Sequence, residues 1–319
     1  MIKLRISYKP AAGILIMLLL AGCGGATPSP SGTATLASPS STPEPASIST
    51  LTLIPPIATH TLAATITAHP LAIGASPTPA HMLAGPEVEW HLVVLSESTG
   101  WGLGSAYAAQ IEKDVDVKVT LNDFAIGDLS AADVVNALQT GKSSIPKLEN
   151  LPAAMADADV IVLAPGPLGS LQDATFGNIE RCVGNMAGTP ELCSPNGFDG
   201  YTADLETIWG KIFELRSGKP TILRGMDDAS PFINRWKEKQ IINTCTICWE
   251  TYSNAARQAA EVFHIPFLSR YDIYNGVNHD LDAGQQGYIG GDGIHPNGLA
   301  QQRTAELLAE MGYEAVTPP

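Results

Sequence analysis

The sequence is short of positive charge. Lys and Arg number 18 against 32 Asp and Glu over 319 residues, a formal net charge of −14, and basic residues nowhere gather into a run. Such a chain has no electrostatic footprint for a phosphate backbone, so nucleic acid is excluded as a partner and neutral or cationic substrates are favoured over polyanions. Long apolar runs are missing too. The candidate, Ala11 to Leu20, is too short for a membrane-spanning helix, which needs about 20 apolar residues. Metal-ligand spacing is also absent around His60, His69 and His81, which read as solvated residues of a linker.

What the N-terminus does contain is an address. Lys3, Arg5 and Lys9 precede the apolar run, which ends in Leu20-Ala21-Gly22-Cys23. A basic head, an apolar middle and a small-residue end have the form of a secretory signal. The last four residues resemble a bacterial lipobox, and the resemblance implies cleavage after residue 22 and a lipid on Cys23. The chain is then expected outside the cytoplasm, held to the bacterial cell membrane by that lipid alone. An uncleaved anchor or an ordinary signal peptide would give the same side of the membrane. Without Lys3, Arg5 and Lys9 the balance becomes 15 − 32 = −17.

Residues 23–86 are rich in Ser, Thr, Pro and Ala, and Glu44 is the only charged side chain apart from histidines. Such a stretch buries too little apolar surface to offset its ordering entropy, so a disordered tether is expected. Residues 87–319 remain, enough for one globular domain with its own core.

In that domain short apolar runs alternate with amphipathic ones. Leu92 to Leu95, Val115 to Leu121, Asp159 to Leu163, Pro220 to Arg224 and Ile265 to Leu268 read as strands. Helices are predicted over Ser105 to Lys113, from Ser130 to Thr140, Lys147 to Ala156, Tyr201 to Arg216 and much of Phe232 to Phe263. Asn297 caps a last helix with Ala300, Leu307, Leu308 and Met311 on its apolar face, and a polar, irregular insertion fills the chain up to Gly200. The alternation predicts an α/β fold, a doubly wound, mostly parallel five-stranded sheet flanked by helices in three layers, as in flavodoxin. Active sites of such sheets lie at the carboxyl ends of the strands.

Two strand-end stretches carry chemistry. Ser96-Glu97-Ser98-Thr99-Gly100-Trp101-Gly102 follows the first strand, and Gly291-Asp292-Gly293-Ile294-His295-Pro296-Asn297 precedes the last helix. An acid three residues before an imidazole can hold one ring nitrogen and leave the other free to take a proton. A strand-end serine early in the domain with Asp-x-x-His in its last loop resembles the SGNH or GDSL family of hydrolases. The aligned first block here is Ser96, Glu97 and Ser98. The resemblance implies Ser98 as nucleophile, His295 as general base and Asp292 as its orienting acid, with Ser96 in the place of the family's glycine.

The same resemblance implies an oxyanion hole from the backbone N–H groups of Ser98 and Gly127, the latter in the segment after the second strand, with Gly166 as a weaker contributor. The third block departs from the family. Ala164-Pro165-Gly166-Pro167-Leu168-Gly169-Ser170 lacks the asparagine that supplies a third donor. Ser170, Asn178 or a backbone N–H is the expected substitute; otherwise the site is slow or inactive. No metal or organic cofactor is required by this chemistry.

Four cysteines remain beyond Cys23. Disulfides Cys182–Cys193 and Cys245–Cys248 are expected on compartment grounds. A four-thiolate zinc site or a redox Cys-x-x-Cys is the alternative. Asp227-Asp228, Trp101, Tyr271, Asp272, Tyr274, Asn275, Asn278, His279, Asp280 and Asp282 are candidate cleft residues; aromatics among carboxylates and amides suit a sugar ring. The expected function is an extracytoplasmic, monomeric serine esterase acting on small acyl esters, including O-acetylated carbohydrate. The alternative is a weak or inactive cell-surface carbohydrate-binding or adhesion module of the same fold.

Overall fold

The computed structural model describes residues 83–316. The signal segment, Cys23 and the tether up to residue 82 lie outside the described residues. Five strands form one parallel sheet: β1 (Glu89–Ser96), β2 (Lys118–Ala125), β3 (Val160–Ala164), β4 (Ile222–Met226) and β5 (Phe267–Leu268), in the order β2-β1-β3-β4-β5. Central strands buried on both faces must be apolar on both, hence the unbroken runs in β1 and β3.

Alternate residues feed two cores. Val93, Leu95, Ile161, Leu163 and Leu223 face α2 (Ala131–Thr140), α3 (Leu151–Asp157), α5 (Asp199–Leu215) and α7 (Ile242–Val262). Leu92, Val94, Val160, Val162 and Ile222 face α1 (Leu103–Val115) and α9 (Gly298–Glu310). The sheet is therefore covered on both sides, the three-layer arrangement expected. The chain winds outward from β1 to β2 and then crosses to β3 on the other side, which puts a crevice at the carboxyl ends of β1 and β3.

Local chemistry sets the element ends. Ser130 and Asp133 form a reciprocal capping box at the start of α2, and Asn297 accepts from the Ala300 N–H at the start of α9. Asp116 takes a left-handed conformation that ends α1. The second strand consequently begins three residues later than the sequence predicts. The largely helical stretch expected over 232–263 is two helices, α6 (Ile233–Glu238) and α7, separated at Gln240, whose φ is 58°. The insertion predicted as irregular contains α4 (Asp173–Val183).

The expected cysteine pairing is wrong. The bridges are Cys182–Cys245 and Cys193–Cys248. Cys245 and Cys248 are three apart on α7, where side chains share a face but Cβ atoms stand about 5–6 Å apart, beyond the 3.5–4.5 Å a disulfide requires. That shared face instead presents both sulfurs to α4 and the segment after it. With all four cysteines oxidised, the zinc alternative loses its thiolates. Two buried disulfides mark a chain kept in an oxidising compartment, and no helix among the described residues is long and apolar enough to cross a membrane.

Candidate active site

After β1 the chain makes a 3₁₀ turn over Ser98–Gly100. Gly100 is required there, because a Cβ would lie 1.8 Å from Ser96 Oγ. Ser96 points inward, fully buried, its hydroxyl without a partner among the described residues. Ser98 is half-buried and lines a pocket with His295. Of the two serines, only Ser98 presents its side chain to the pocket.

Asp292 is organised for one purpose. Its Oδ1 accepts from the Ile294 N–H (2.9 Å) and the His295 N–H (3.0 Å), and its Oδ2 meets His295 Nδ1 at 2.8 Å. These bonds, the Ile294 N–H foremost, hold its carboxyl well below the usual carboxylate range. With Nδ1 engaged, Nε2 is left to take a proton. Trp101 stacks on the imidazole at 4.7 Å and 29° between planes, fixing the ring from one face.

Ser98 and His295 are not hydrogen-bonded to each other. Ser98 Oγ donates instead to Glu97 Oε2 at 3.1 Å, while Glu97 Oε1 accepts from the Thr99 N–H at 3.0 Å. Burial first, and the nearby Asp228 second, push the Glu97 carboxyl up. Serine and base often close to bonding distance only when substrate binds, and Ser98 and His295 line the same pocket.

Beneath this turn lies a buried polar network. Arg270, on α8 (Arg270–Asn275), pairs with Asp228, donates through Nη1 to the Thr99 carbonyl (3.1 Å) and through Nη2 to Thr99 Oγ1 (2.9 Å), and binds the Asp227 carbonyl through Nε. Thr99 Oγ1 (2.5 Å) and the Tyr252 hydroxyl (3.1 Å) also donate to Asp228. Asp227, wholly buried, has its carboxyl pushed up to about 6 by burial despite donors from Ser253, Ser269 and the Tyr271 N–H. Gln301 on α9 closes the loop from the other side, donating to the Thr99 carbonyl (2.7 Å) and the Trp101 carbonyl (3.0 Å). A buried network with its charges paired is rigid, and here it fixes the height of the serine turn.

The oxyanion donors divide. Among the described residues neither the Ser98 nor the Gly127 N–H has a protein acceptor. Gly127 itself is not part of the pocket wall, although Asp128 and Leu129 beside it are. Gly166 lines the pocket, but its N–H is spent on the Leu129 carbonyl at 2.9 Å, within a parallel bridge to Ser130. Its weak oxyanion role is therefore withdrawn. The substitutes expected for the missing asparagine do not reach the pocket wall: Ser170 donates to Asp204, and Asn178, whose side-chain oxygen accepts from Arg181 and the Glu191 N–H, lies outside the wall.

The pocket holds about 470 Å³. Its walls are mainly apolar, with Leu168, Ile179, Val183, Phe232, Trp249 and Ile294 prominent. Of the cleft residues expected from the sequence, Asp228 is in the wall and Trp101 stacks on the base. The rest are structural: Tyr271 is buried, Tyr274 donates to the Ala300 carbonyl, Asn275 ties to Ser230, His279 bridges Glu250 and Asp272, and Asp282 accepts from the Asn234 N–H. Asn278 and Asp280 are likewise outside the pocket wall. Thr99, Arg270 and Gln301 escaped the sequence reading. Only Gln301 left a trace, as an amide on the buried face of an amphipathic helix.

No known protein-family model matches the sequence, and no curated protein matches it. Among solved structures, a lipase from a goat rumen metagenome matches with a TM-score of 0.52 at 16% identity, covering 70% of this chain and 98% of the lipase. The chain has the SGNH-type hydrolase fold. An acetyl xylan esterase (TM-score 0.44, 13% identity, 70% of this chain and 99% of that one) and a lipase/acylhydrolase from Enterococcus faecalis (0.43, 11%, 72% and 100%) follow. In this chain the end of β1 and the loop before α9 contribute Ser98 and His295 to one pocket wall.

Proposed function

We propose that this chain is an extracytoplasmic serine esterase in which Ser98 is the nucleophile, His295 the general base and Asp292 its orienting acid. The observation that carries the reading is the Asp292–His295 pair, at 2.8 Å and with no partner for Nε2 among the described residues, its His295 in one pocket wall with Ser98. Ser98 Oγ attacks the ester carbonyl as His295 Nε2 takes its proton, and the carbonyl electron pair moves onto oxygen. The Ser98 and Gly127 N–H groups hold that oxyanion. Collapse breaks the bond to the alcohol, which leaves with the proton from His295. Water then releases the acyl group by the same steps in reverse.

The substrate proposed is a small acyl ester, with O-acetylated carbohydrate within the class. The apolar walls accept an acyl or alcohol group larger than acetyl. The two disulfides support the extracytoplasmic placement, and lipidation of Cys23 remains part of the proposal. A second reading, a weak or inactive binding module, draws on the Ser98 hydroxyl resting on Glu97 and on the occupied Gly166 N–H.

A fluorophosphonate probe and a short-chain aryl ester separate the readings. Labelling and turnover that disappear in Ser98→Ala and persist in Ser96→Ala support the esterase. A folded wild-type protein that neither labels nor turns over sinks it.

A further inference from the structure

We infer that Glu97, as a neutral carboxylic acid, donates a hydrogen bond to the oxyanion and fills the gap in the oxyanion hole. The inference rests on the esterase reading above. Its basis is the inventory of donors around Ser98. Thr99, Tyr252 and Trp249 share the pocket wall with Ser98, and each donates to Asp228. The Gly166 N–H is held by Leu129. Glu97 is the side chain in contact with the nucleophile, its Oε2 3.1 Å from Ser98 Oγ.

Position favours the role. The Glu97 side chain crosses from the end of β1 to the end of β3, where a Cβ on Gly166 would lie 3.7 Å from Glu97 Cγ. It thus occupies the edge of the crevice from which the third block would have supplied its asparagine. In the tetrahedral intermediate the oxyanion is bonded to the same carbon as Ser98 Oγ. A group already within hydrogen-bond distance of Oγ reaches that oxygen without leaving its place. When Ser98 turns toward His295 it withdraws its own proton from Oε2, and a hydroxyl proton carried on that oxygen can then point to the oxyanion. The proton stays on Glu97 throughout; only a hydrogen bond forms and breaks.

The surroundings decide which acid is neutral. Asp228 has Arg270 and two hydroxyl donors, and can carry charge in the buried site. Glu97 forms no ion pair among the described residues and is pushed up by burial and by the Asp228 charge. The charged and titratable groups around it are Asp228, which Arg270 pairs, Tyr201 and Tyr252 from α5 and α7, and Asp128, Glu180, Arg235 and His295 in the same pocket wall. A carboxyl kept neutral by an apolar site is an established kind of oxyanion donor.

The sign in pH follows. Glu97 donates while protonated; as pH rises through its raised value the proton leaves and a negative charge faces the oxyanion. The wild-type kcat/KM should therefore carry a decline as pH rises through the raised Glu97 value, opposite in sign to the gain from a base that acts in its neutral form.

The test compares Glu97→Gln with Glu97→Leu in kcat and in the pH profile of kcat/KM. Gln keeps an N–H donor and an acceptor for Thr99 but cannot ionise; Leu keeps neither. Glu97→Leu is expected to lose about 10²–10³-fold in kcat, and Glu97→Gln to recover most of that loss and to lack that decline. Glu97→Gln as inactive as Glu97→Leu, or the decline unchanged in Glu97→Gln, overturns the inference while Ser98-dependent turnover keeps the esterase reading. Absence of Ser98-dependent turnover in the wild type overturns both. If Glu97→Leu does not fold, the profile of Glu97→Gln decides alone.

Discussion

Removing the Cys193–Cys248 bridge by Cys193→Ala with Cys248→Ala tests both the pairing and the origin of the pocket. Alone, a bridge over a separation of 55 would stabilise by about 4 kcal/mol through the entropy of the unfolded chain. The second bridge, Cys182–Cys245, changes that figure. With it closed, the path from residue 193 to 248 shrinks to (193 − 182) + (248 − 245) = 14 residues. A loop of that size is worth about 3 kcal/mol, and that is the expected loss in a urea titration. The remaining bridge must appear intact in a non-reducing peptide map. Had the cysteines paired locally, the same substitutions would strand Cys182 and Cys245 as free thiols. Free thiols at those positions, or an unchanged midpoint, refute the reasoning. Because α4 supplies Ile179, Glu180 and Val183 to the pocket wall, the variant should also show a raised KM with kcat less affected.

Other outcomes follow from single contacts. Asp292→Asn keeps an acceptor for the Ile294 and His295 N–H groups but presents an amide donor to Nδ1, so kcat should fall by about 10⁴-fold with the fold intact, the cost of the wrong tautomer. Gln301→Leu removes two hydrogen bonds to the serine turn together with an Oε1 that has no partner, so stability should change by only about 1 kcal/mol. Its kcat should nevertheless drop, and an unaltered kcat would deny the helix its positioning role. Asp227 binds its proton more tightly folded (about 6) than in its ordinary state at 3.8, so the native form holds more protons between these values. Stability should then fall as pH rises through that window, by about 3 kcal/mol at most. Asp227→Asn should flatten the curve, and parallel curves for the two proteins would contradict this.

The parts of the site that could be read in advance are those whose chemistry is local in sequence. Asp292 and His295 are three residues apart in a turn that their own backbone closes, and the buried runs of β1 and β3 announce a covered parallel sheet. What stayed hidden depends on long-range pairing. Arg270 meets Thr99 across 171 residues of sequence, and no periodicity marks that meeting. Proximity in sequence misleads for the cysteines, because a helix turns Cys245 and Cys248 to one side, where each meets a distant partner, Cys182 and Cys193. Gly166 was a plausible donor by position. Its N–H proved committed because β3 runs on into a bridge with Ser130, which no local pattern encodes.

The joining of α9 to the serine turn has a consequence for how the protein comes into being. Gln301 reaches Thr99 across 202 residues, and the helix that carries it also seals the sheet face around Leu92 and Val94 through Ala305 and Leu308. On the esterase reading, His295, Asp292 and the amide that holds the serine turn all lie in or just before α9, far from Ser98 in sequence. Until that helix docks, the face that α1 shares with it is only partly covered and Ser98 lacks its proposed base. Hydrolysis would then require that the second core be closed, and a folding intermediate with α9 undocked would carry its serine harmlessly.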